Sequence, residues 1–239
     1  MRRLVIGDVH GCADTLKALL FDEIKIQNSD SLYFLGDYID RGPKSKQVID
    51  LLIDLSQKYS CTFLGGNHEE VAVMVYRKEV LRNKQHKWFR SSNPHLNNWL
   101  RMGGKEFLDS FGVDSILQVP ESYIIWMENL KNVEPLDDYI LVHAGLNFHI
   151  PNIFDDHHAM RWTRSFETDM QKTGNRPVVH GHVPVSLDLI LQCASDTKCG
   201  FIPLDNGCVY QKRLGMGNLV ALDLNTRQIY VQGNIDGVD

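Results

Sequence analysis

Ser31-Leu32-Tyr33-Phe34-Leu35-Gly36-Asp37-Tyr38-Ile39-Asp40-Arg41-Gly42-Pro43 is the stretch on which the fold turns. A short β-prone run enters a glycine-bounded turn holding two aspartates, and Val48, Ile49, Leu51, Leu52 and Leu55 then share one helical face. The same order occurs on either side. Upstream, Arg3-Leu4-Val5-Ile6 leads through Gly7-Asp8-Val9-His10-Gly11 to Thr15-Leu16-Lys17-Ala18-Leu19-Leu20. Downstream, Cys61-Thr62-Phe63-Leu64 leads through Gly65-Gly66-Asn67-His68-Glu69 to Val71, Val73, Met74 and Val75, the start of another helix. Strands alternating with helices predict an α/β domain with a largely parallel sheet. Such a sheet presents the carboxyl ends of its strands to one edge, so the three polar turns converge on one crevice. A single Gly-Asp is ordinary turn chemistry. Three such turns in succession, each with a metal-capable side chain, point to a site.

Residues 76–135 read as a helical insertion, with Trp88, Phe89, Leu96, Trp99, Leu100, Phe107, Leu108 and Phe111 as its apolar positions. Strand character then returns: Tyr139-Ile140-Leu141-Val142 runs into His143-Ala144-Gly145-Leu146, and Arg176-Pro177-Val178-Val179 into His180-Gly181-His182. Short β-like runs at 187–191, 200–204, 219–224 and 228–231 predict an antiparallel portion and a second sheet. At 239 residues the whole, 1–239, reads as a single domain.

Composition narrows the function. The chain carries a formal net charge of -5, which argues against a nucleic-acid or anionic-membrane surface built from clustered Lys and Arg. No apolar run has the length of a membrane span, and Met1-Arg2-Arg3 reaches the first polar turn too soon for a signal peptide, so a cytoplasmic location is expected. The five cysteines, without a C-x-x-C pair, disfavour a disulfide scaffold or a thiolate zinc site.

Six residues at or just beyond strand ends are candidate metal ligands: Asp8, His10, Asp37, Asn67, His143 and His182. They offer oxygen and nitrogen and no thiolate, which suits Mn first, with Fe, Zn or Mg as further candidates. Six ligands exceed the needs of one tetrahedral ion, so two divalent ions are expected about 3.5–4 Å apart, with Asp37 bridging them. Two aspartates leave such a pair with net positive charge, a cationic crevice on an anionic protein. The pair lowers the pKa of a shared water, and the resulting bridging hydroxide can attack a tetrahedral phosphorus in line. His68 reaches the same crevice and is assigned as general acid, with Asp40 orienting it. Arg41 and Arg164 are expected to grip the non-bridging phosphate oxygens. His180 reads as a supporting group, and Cys12 as a small buried residue at a helix start.

The ordered set Gly-Asp-Val-His-Gly (7–11), Gly-Asp-Tyr-Ile-Asp-Arg-Gly (36–42), Gly-Asn-His-Glu (66–69), His-Ala-Gly-Leu (143–146) and Gly-His (181–182) resembles that of the calcineurin-like metallophosphoesterases. More narrowly, it is similar to the phosphoprotein phosphatase branch, in its compact bacterial or phage type. The resemblance implies a two-sheet β-sandwich flanked by helices, with a dinuclear metal site at the sandwich edge. It implies one metal on Asp8, His10 and Asp37 and the other on Asp37, Asn67, His143 and His182, and no regulatory subunit. The expected activity is hydrolysis of phosphoserine or phosphothreonine in proteins. The alternatives are hydrolysis of dinucleoside polyphosphates such as diadenosine tetraphosphate, or of small phosphate esters, and a non-catalytic metal-dependent binding module. The second aspartate of the middle motif, Asp40, and Glu69 after Asn-His favour the protein-phosphatase branch over the diadenosine tetraphosphate branch.

Overall fold

The structure is a computed structural model that describes residues 1–84 and 93–237. Its framework is two mixed sheets packed face to face with helices on the outer sides. The first has the order β3-β2-β1-β8-β9, formed by β1 (Arg3–Ile6), β2 (Ser31–Phe34), β3 (Ser60–Phe63), β8 (Asn218–Asp223) and β9 (Ile229–Gly233). The second has the order β4-β5-β6-β7, formed by β4 (Val133–Pro135), β5 (Ile140–Val142), β6 (Val178–His180) and β7 (Phe201–Pro203). β1, β2 and β3 run parallel, with Ile6 opposite Phe34 and Phe34 opposite Phe63. β5, β6 and β7 are likewise parallel, and β4 pairs antiparallel with β5.

Alternation along each strand sorts the apolar side chains into layers. Val5, Leu141, Val179, Ile202, Val220 and Leu222 meet between the sheets. Leu4, Ile6, Leu32 and Phe34 point the other way, toward α1 (Ala13–Ala18), α2 (Ser45–Ser56) and α3 (Asn67–Asn83). On the far side, Ile140, Val142 and Val178 meet Met160 of α7 (His157–Trp162). Strands covered on both faces have no polar face to show, which is why β1, β5 and β6 read as unbroken apolar runs.

Two expectations are corrected. The run at 187–191 is not a strand but the start of helix α8 (Leu187–Ser195), opened by Ser186, whose hydroxyl accepts from Leu189 N. The antiparallel pair of the last fifty residues, β8 and β9, completes the first sheet, with β8 beside β1, instead of building the second. In the 76–135 segment, α3 runs without a break from Asn67 to Asn83, and α4 (Pro94–Trp99), α5 (Lys105–Phe111) and α6 (Glu121–Glu128) follow, while Val133–Pro135 is already strand. Trp88 and Phe89 lie outside the described residues. Among the described residues no helix is long and apolar enough to cross a membrane.

A carboxylate from the far end of the sequence steadies the first turn. Asp236 accepts hydrogen bonds from Asp14 N (3.2 Å), Thr15 N (2.9 Å), Thr15 Oγ1 (2.8 Å) and Lys44 Nζ (3.0 Å). It thereby caps α1, whose own first residue supplies no side-chain cap. Burial works against its ionisation, but the hydrogen bonds from Thr15 and Lys44 outweigh it, and the carboxyl titrates below its ordinary value. A carboxyl with a depressed folded-state pKa adds stability above its unfolded pKa, and that stability is lost as pH falls through the folded value. Asp236→Ala is therefore expected to cost about 1–2 kcal/mol at neutral pH. Urea unfolding of the two proteins should show the difference shrinking in acid; a constant difference across pH would refute the capping role.

Candidate active site

Six polar turns meet at one edge of the sandwich because three parallel strands of each sheet end there. Asp8 and His10 follow β1, Asp37 follows β2, Asn67 opens α3 after β3, His143 follows β5, and His182 follows β6. Asp205, which follows β7, joins them and was not anticipated. The turns are stitched to one another. The main-chain amides of Val9 and His10 donate to Asp37 O, His182 N donates to Asp8 Oδ2 (3.0 Å), and His143 Nδ1 donates to Leu35 O (2.9 Å).

The close approach is visible at two glycines. A Cβ on Gly66 would lie 2.0 Å from Asp37 Oδ1, and one on Gly181 would lie 2.0 Å from Asp8 Oδ1. The backbone is also bent where the chemistry is. His10, Asp37, Asp40, Arg41 and His182 all hold positive φ, between 45° and 70°, a region uncommon for residues with a side chain and concentrated at functional sites.

Asp37 stands at the centre. His10, Asp37 and His68 form one compact trio, and Asp37, His143 and His182 a second. Asp37 Oδ2 lies 3.6 Å from His10 Nε2, and Oδ1 lies 3.5 Å from His143 Nε2. Asn67 Oδ1 accepts from His182 Nδ1 (2.9 Å) and lies 3.3 Å from His143 Nε2. In His10 the other ring nitrogen, Nδ1, donates to Ile39 O (3.0 Å). The Nε2 lone pairs of His10 and His143 are therefore turned toward Asp37, as metal-ligating imidazoles require. Burial, with Arg41 and then His68 nearby, holds His10 well below its ordinary pKa, and burial also holds His143 below.

The donors fit divalent cations on the structure's own terms. Asp8 Oδ1 and His182 Nε2 are buried and have no hydrogen-bond partner among the described residues, an expensive state unless a further group satisfies them. Burial and the neighbouring Asp205 and Asp37 push Asp8 far up, while burial carries Asp205 to about 7. Asp37 goes the other way: burial opposes its charge, but His143, His68, His10 and Arg41 overcome it. Three buried carboxylates facing histidines and one arginine are arranged for added positive charge.

Beside this centre, Asp40 Oδ2 accepts from His68 Nδ1 at 2.7 Å, with both side chains almost wholly buried. Trp99 Nε1 donates to the same carboxylate, 3.1 Å from Oδ2 and 3.2 Å from Oδ1. Burial opposes protonation of His68, yet Asp37 and then Asp40 raise its pKa above the ordinary value. Arg41 donates from one guanidinium nitrogen to His10 Nε2 (2.8 Å) and from the other to His68 Nε2 (2.9 Å). Arg164 is not brought into this network. It lies on the exposed loop after α7, and its charge acts at a distance on His182, whose pKa falls to about 4 chiefly through burial. His180 donates to Gly181 O and packs against Phe166 and Phe201, outside the cluster.

Three partners went unread in the sequence. Glu69 is wholly buried and spends both oxygens on main-chain amides: Asp37 N (3.0 Å), Tyr38 N (2.7 Å), Ile39 N (3.3 Å) and Gly66 N (2.9 Å). Its signal was present, since Gly66-x-x-Glu69 has the spacing of a capping box. Asp205 also had one, a strand followed by Asp-Asn-Gly like the other turns. Trp99, 59 residues from Asp40, had none.

The comparisons with known proteins agree with this geometry. A family model described as calcineurin-like phosphoesterase matches residues 1–186. Bis(5'-nucleosyl)-tetraphosphatase PrpE [asymmetrical] of Oceanobacillus iheyensis is 26% identical over 238 residues, covering 88% of this chain and 85% of its own. The symmetrical bis(5'-nucleosyl)-tetraphosphatase of Hamiltonella defensa is 34% identical over 150 residues, covering 61% of this chain and 45% of its own. Among solved structures, a putative diadenosine tetraphosphatase superposes with a TM-score of 0.61 at 19% identity, covering 99% of this chain and 95% of that one. A serine/threonine phosphatase of Saccharomyces cerevisiae gives 0.64 at 15%, covering 97% and 79%. At such identities the superpositions speak to the fold alone.

Proposed function

The chain belongs to the calcineurin-like phosphoesterase family, a family of metal-dependent phosphoester hydrolases, and from that premise we propose that its substrates are dinucleoside polyphosphates. The carrying observation for the chemistry is the buried Asp37, common to two histidine trios and flanked by the His68–Asp40 pair. The support for the substrate class is the relatives' own activity, named as tetraphosphatase for a protein aligned over 88% of this chain.

We assign Asp8, His10 and Asp37 to one divalent ion and Asp37, Asn67, His143 and His182 to a second. When bound, two such ions neutralise phosphate charge and acidify a shared water. The chain's own residues do the rest. Asp40 fixes the His68 tautomer with Nδ1 protonated and, with Asp37, favours the fully protonated ring, so that once Arg41 leaves Nε2 for a phosphate oxygen that nitrogen can carry a proton and donate it to the departing oxygen. Trp99 holds Asp40 in turn. Arg41 donates to His10 Nε2, the very atom a metal would take, so an ion on His10 frees that guanidinium for a phosphate oxygen.

The phosphoserine and phosphothreonine reading drew on the motif set, with Asp40 and Glu69 as the markers of that branch; Asp40 takes the expected place beside His68, and neither side chain faces substrate. Asp40 is spent on His68 and Trp99, and Glu69 on backbone amides. Both are wholly buried, so neither can meet a leaving group or tell a protein from a nucleotide. Measuring kcat/KM on diadenosine tetraphosphate and on a phosphoserine peptide decides. The nucleotide is expected to win by at least about a hundredfold, roughly 2.7 kcal/mol of transition-state binding, with activity lost on chelation and restored by Mn²⁺. A preference for the peptide would overturn the substrate reading, and turnover in the presence of chelator would overturn the metal assignment.

A further inference from the structure

Next to Arg41 the crevice opens into a cleft of about 440 Å³ lined by Arg41, Arg101, Met102, Gly103, Glu106 and Tyr210. Two separate pieces of chain build it: the turn between α4 and α5, and the loop between β7 and β8. The first piece is bound to the catalytic turn, since Arg41 N donates to Gly103 O and a Cβ on Gly103 would lie 2.3 Å from Arg41 N. The cleft is thus continuous with the site.

Its charge is unlike that of the rest of the protein. The guanidinium of Arg213 lies 4.1 Å from the centre of the Tyr210 ring, and that of Arg41 lies 5.9 Å from the same ring. Arg101 is exposed on the rim and has no hydrogen-bond or ion-pair partner among the described residues. Two guanidinium groups thus face the Tyr210 ring and a third, Arg101, lines the same cleft, where Glu106 is the one carboxylate among the described residues, on a chain whose net charge is -5. Like charges held together repel unless an anion joins them. Planar guanidinium forks match phosphate oxygens bidentately, and an aromatic face with stacked arginine accepts a nucleobase whatever its identity. An ordinary peptide offers neither a run of phosphates nor a base.

We propose that this cleft is the subsite for the part of the substrate beyond the attacked phosphorus, with Arg101 and Arg213 gripping the distal phosphates and Tyr210 carrying the base. The inference rests on the reading of the chain as a hydrolase of dinucleoside polyphosphates. It gives the helical insertion a second task besides holding Asp40 through Trp99: supplying one wall of the nucleotide cleft.

The test is the double variant Arg101→Ala/Arg213→Ala, both positions being exposed. The ratio of kcat/KM on diadenosine tetraphosphate to that on an aryl phosphate is expected to fall roughly tenfold or more, the loss of charged hydrogen bonds to phosphate. In parallel, ADP and orthophosphate are compared as inhibitors of aryl phosphate hydrolysis at fixed free Mn²⁺. The inhibition constant of ADP should rise roughly tenfold, and that of orthophosphate, which sits at the metals alone, should stay put. Parallel shifts for both inhibitors, or none for either, would overturn the subsite. If the parent enzyme does not cleave diadenosine tetraphosphate at all, the substrate reading fails and the ADP comparison alone decides the subsite. If it does cleave it and the variant is indifferent, the subsite fails and the substrate reading stands.

Discussion

Replacing His68 with asparagine is expected to lower kcat by roughly 10²–10⁴ and to leave the metal content of the purified protein unchanged. The two halves of that result address two different roles. His68 lies within one trio with His10 and Asp37, so on proximity alone it is as credible a ligand as they are. Its hydrogen bonding speaks otherwise. Nδ1 is committed to Asp40, a carboxylate held in turn by Trp99, and Asp37 and Asp40 raise its pKa, which favours a proton over a metal on the remaining nitrogen. His10 and His143, whose pKa values are lowered and whose Nδ1 atoms face main-chain carbonyls, have the opposite character. Metal analysis with steady-state kinetics on the same preparation checks the prediction. Loss of an ion from the variant would make His68 a ligand. The size of the fall should also depend on the leaving group. A departing phosphate, with a pKa of about 6, needs less help from an acid than a serine alkoxide does. The loss should therefore sit at the lower end for a dinucleoside polyphosphate and at the upper end for an alkyl phosphate.

The second large effect is expected at Glu69, through structure instead of chemistry. Glu69→Ala removes the acceptor of four buried amides, those of Asp37, Tyr38, Ile39 and Gly66. An unsatisfied buried amide costs about 1–3 kcal/mol. Allowing for relaxation, the variant should lose on the order of 4 kcal/mol or more. Because three of the four amides belong to the turn that carries Asp37, metal affinity should fall together with stability. Urea unfolding and metal titration would show both. Glu69→Gln, which keeps one acceptor oxygen, should fall between the parent and the alanine variant. A Glu69→Ala protein with the parent's unfolding midpoint and full metal content would mean that the turn is held by other contacts.

What could be read in advance divides along sequence distance. The turns after β1, β2 and β3 were legible because strand, glycine and ligand are neighbours in the chain, and parallel pairing delivers them to one edge without further information. The second sheet's contribution was legible for His143 and His182 for the same reason. The run at 187–191 misled because five residues, four of them apolar, satisfy both helical and strand periods, and only the cap at Ser186 separates them. Trp99 illustrates the limit. Its role depends on α4 folding back onto the turn after β2, and nothing within its own stretch of chain distinguishes a tryptophan that supports a carboxylate from one that fills a core. Arg164 lies on an exposed loop without a hydrogen bond to the cluster, though its charge reaches His182, and its part in gripping phosphate stays a proposal.

The pairing of β1 with β8 bears on how the centre comes into being. Gly7, which opens the first ligand turn, donates to Val220, and Ile6 is opposite Ala221. β1 thus takes as one of its two neighbours a strand more than two hundred positions further along the sequence. Closing so long a span is entropically slow, even though the first three turns are also tied to one another directly. The first ligand turn is therefore fully held only once β8 has joined the sheet, so metal affinity should depend on a strand that carries none of the ligands.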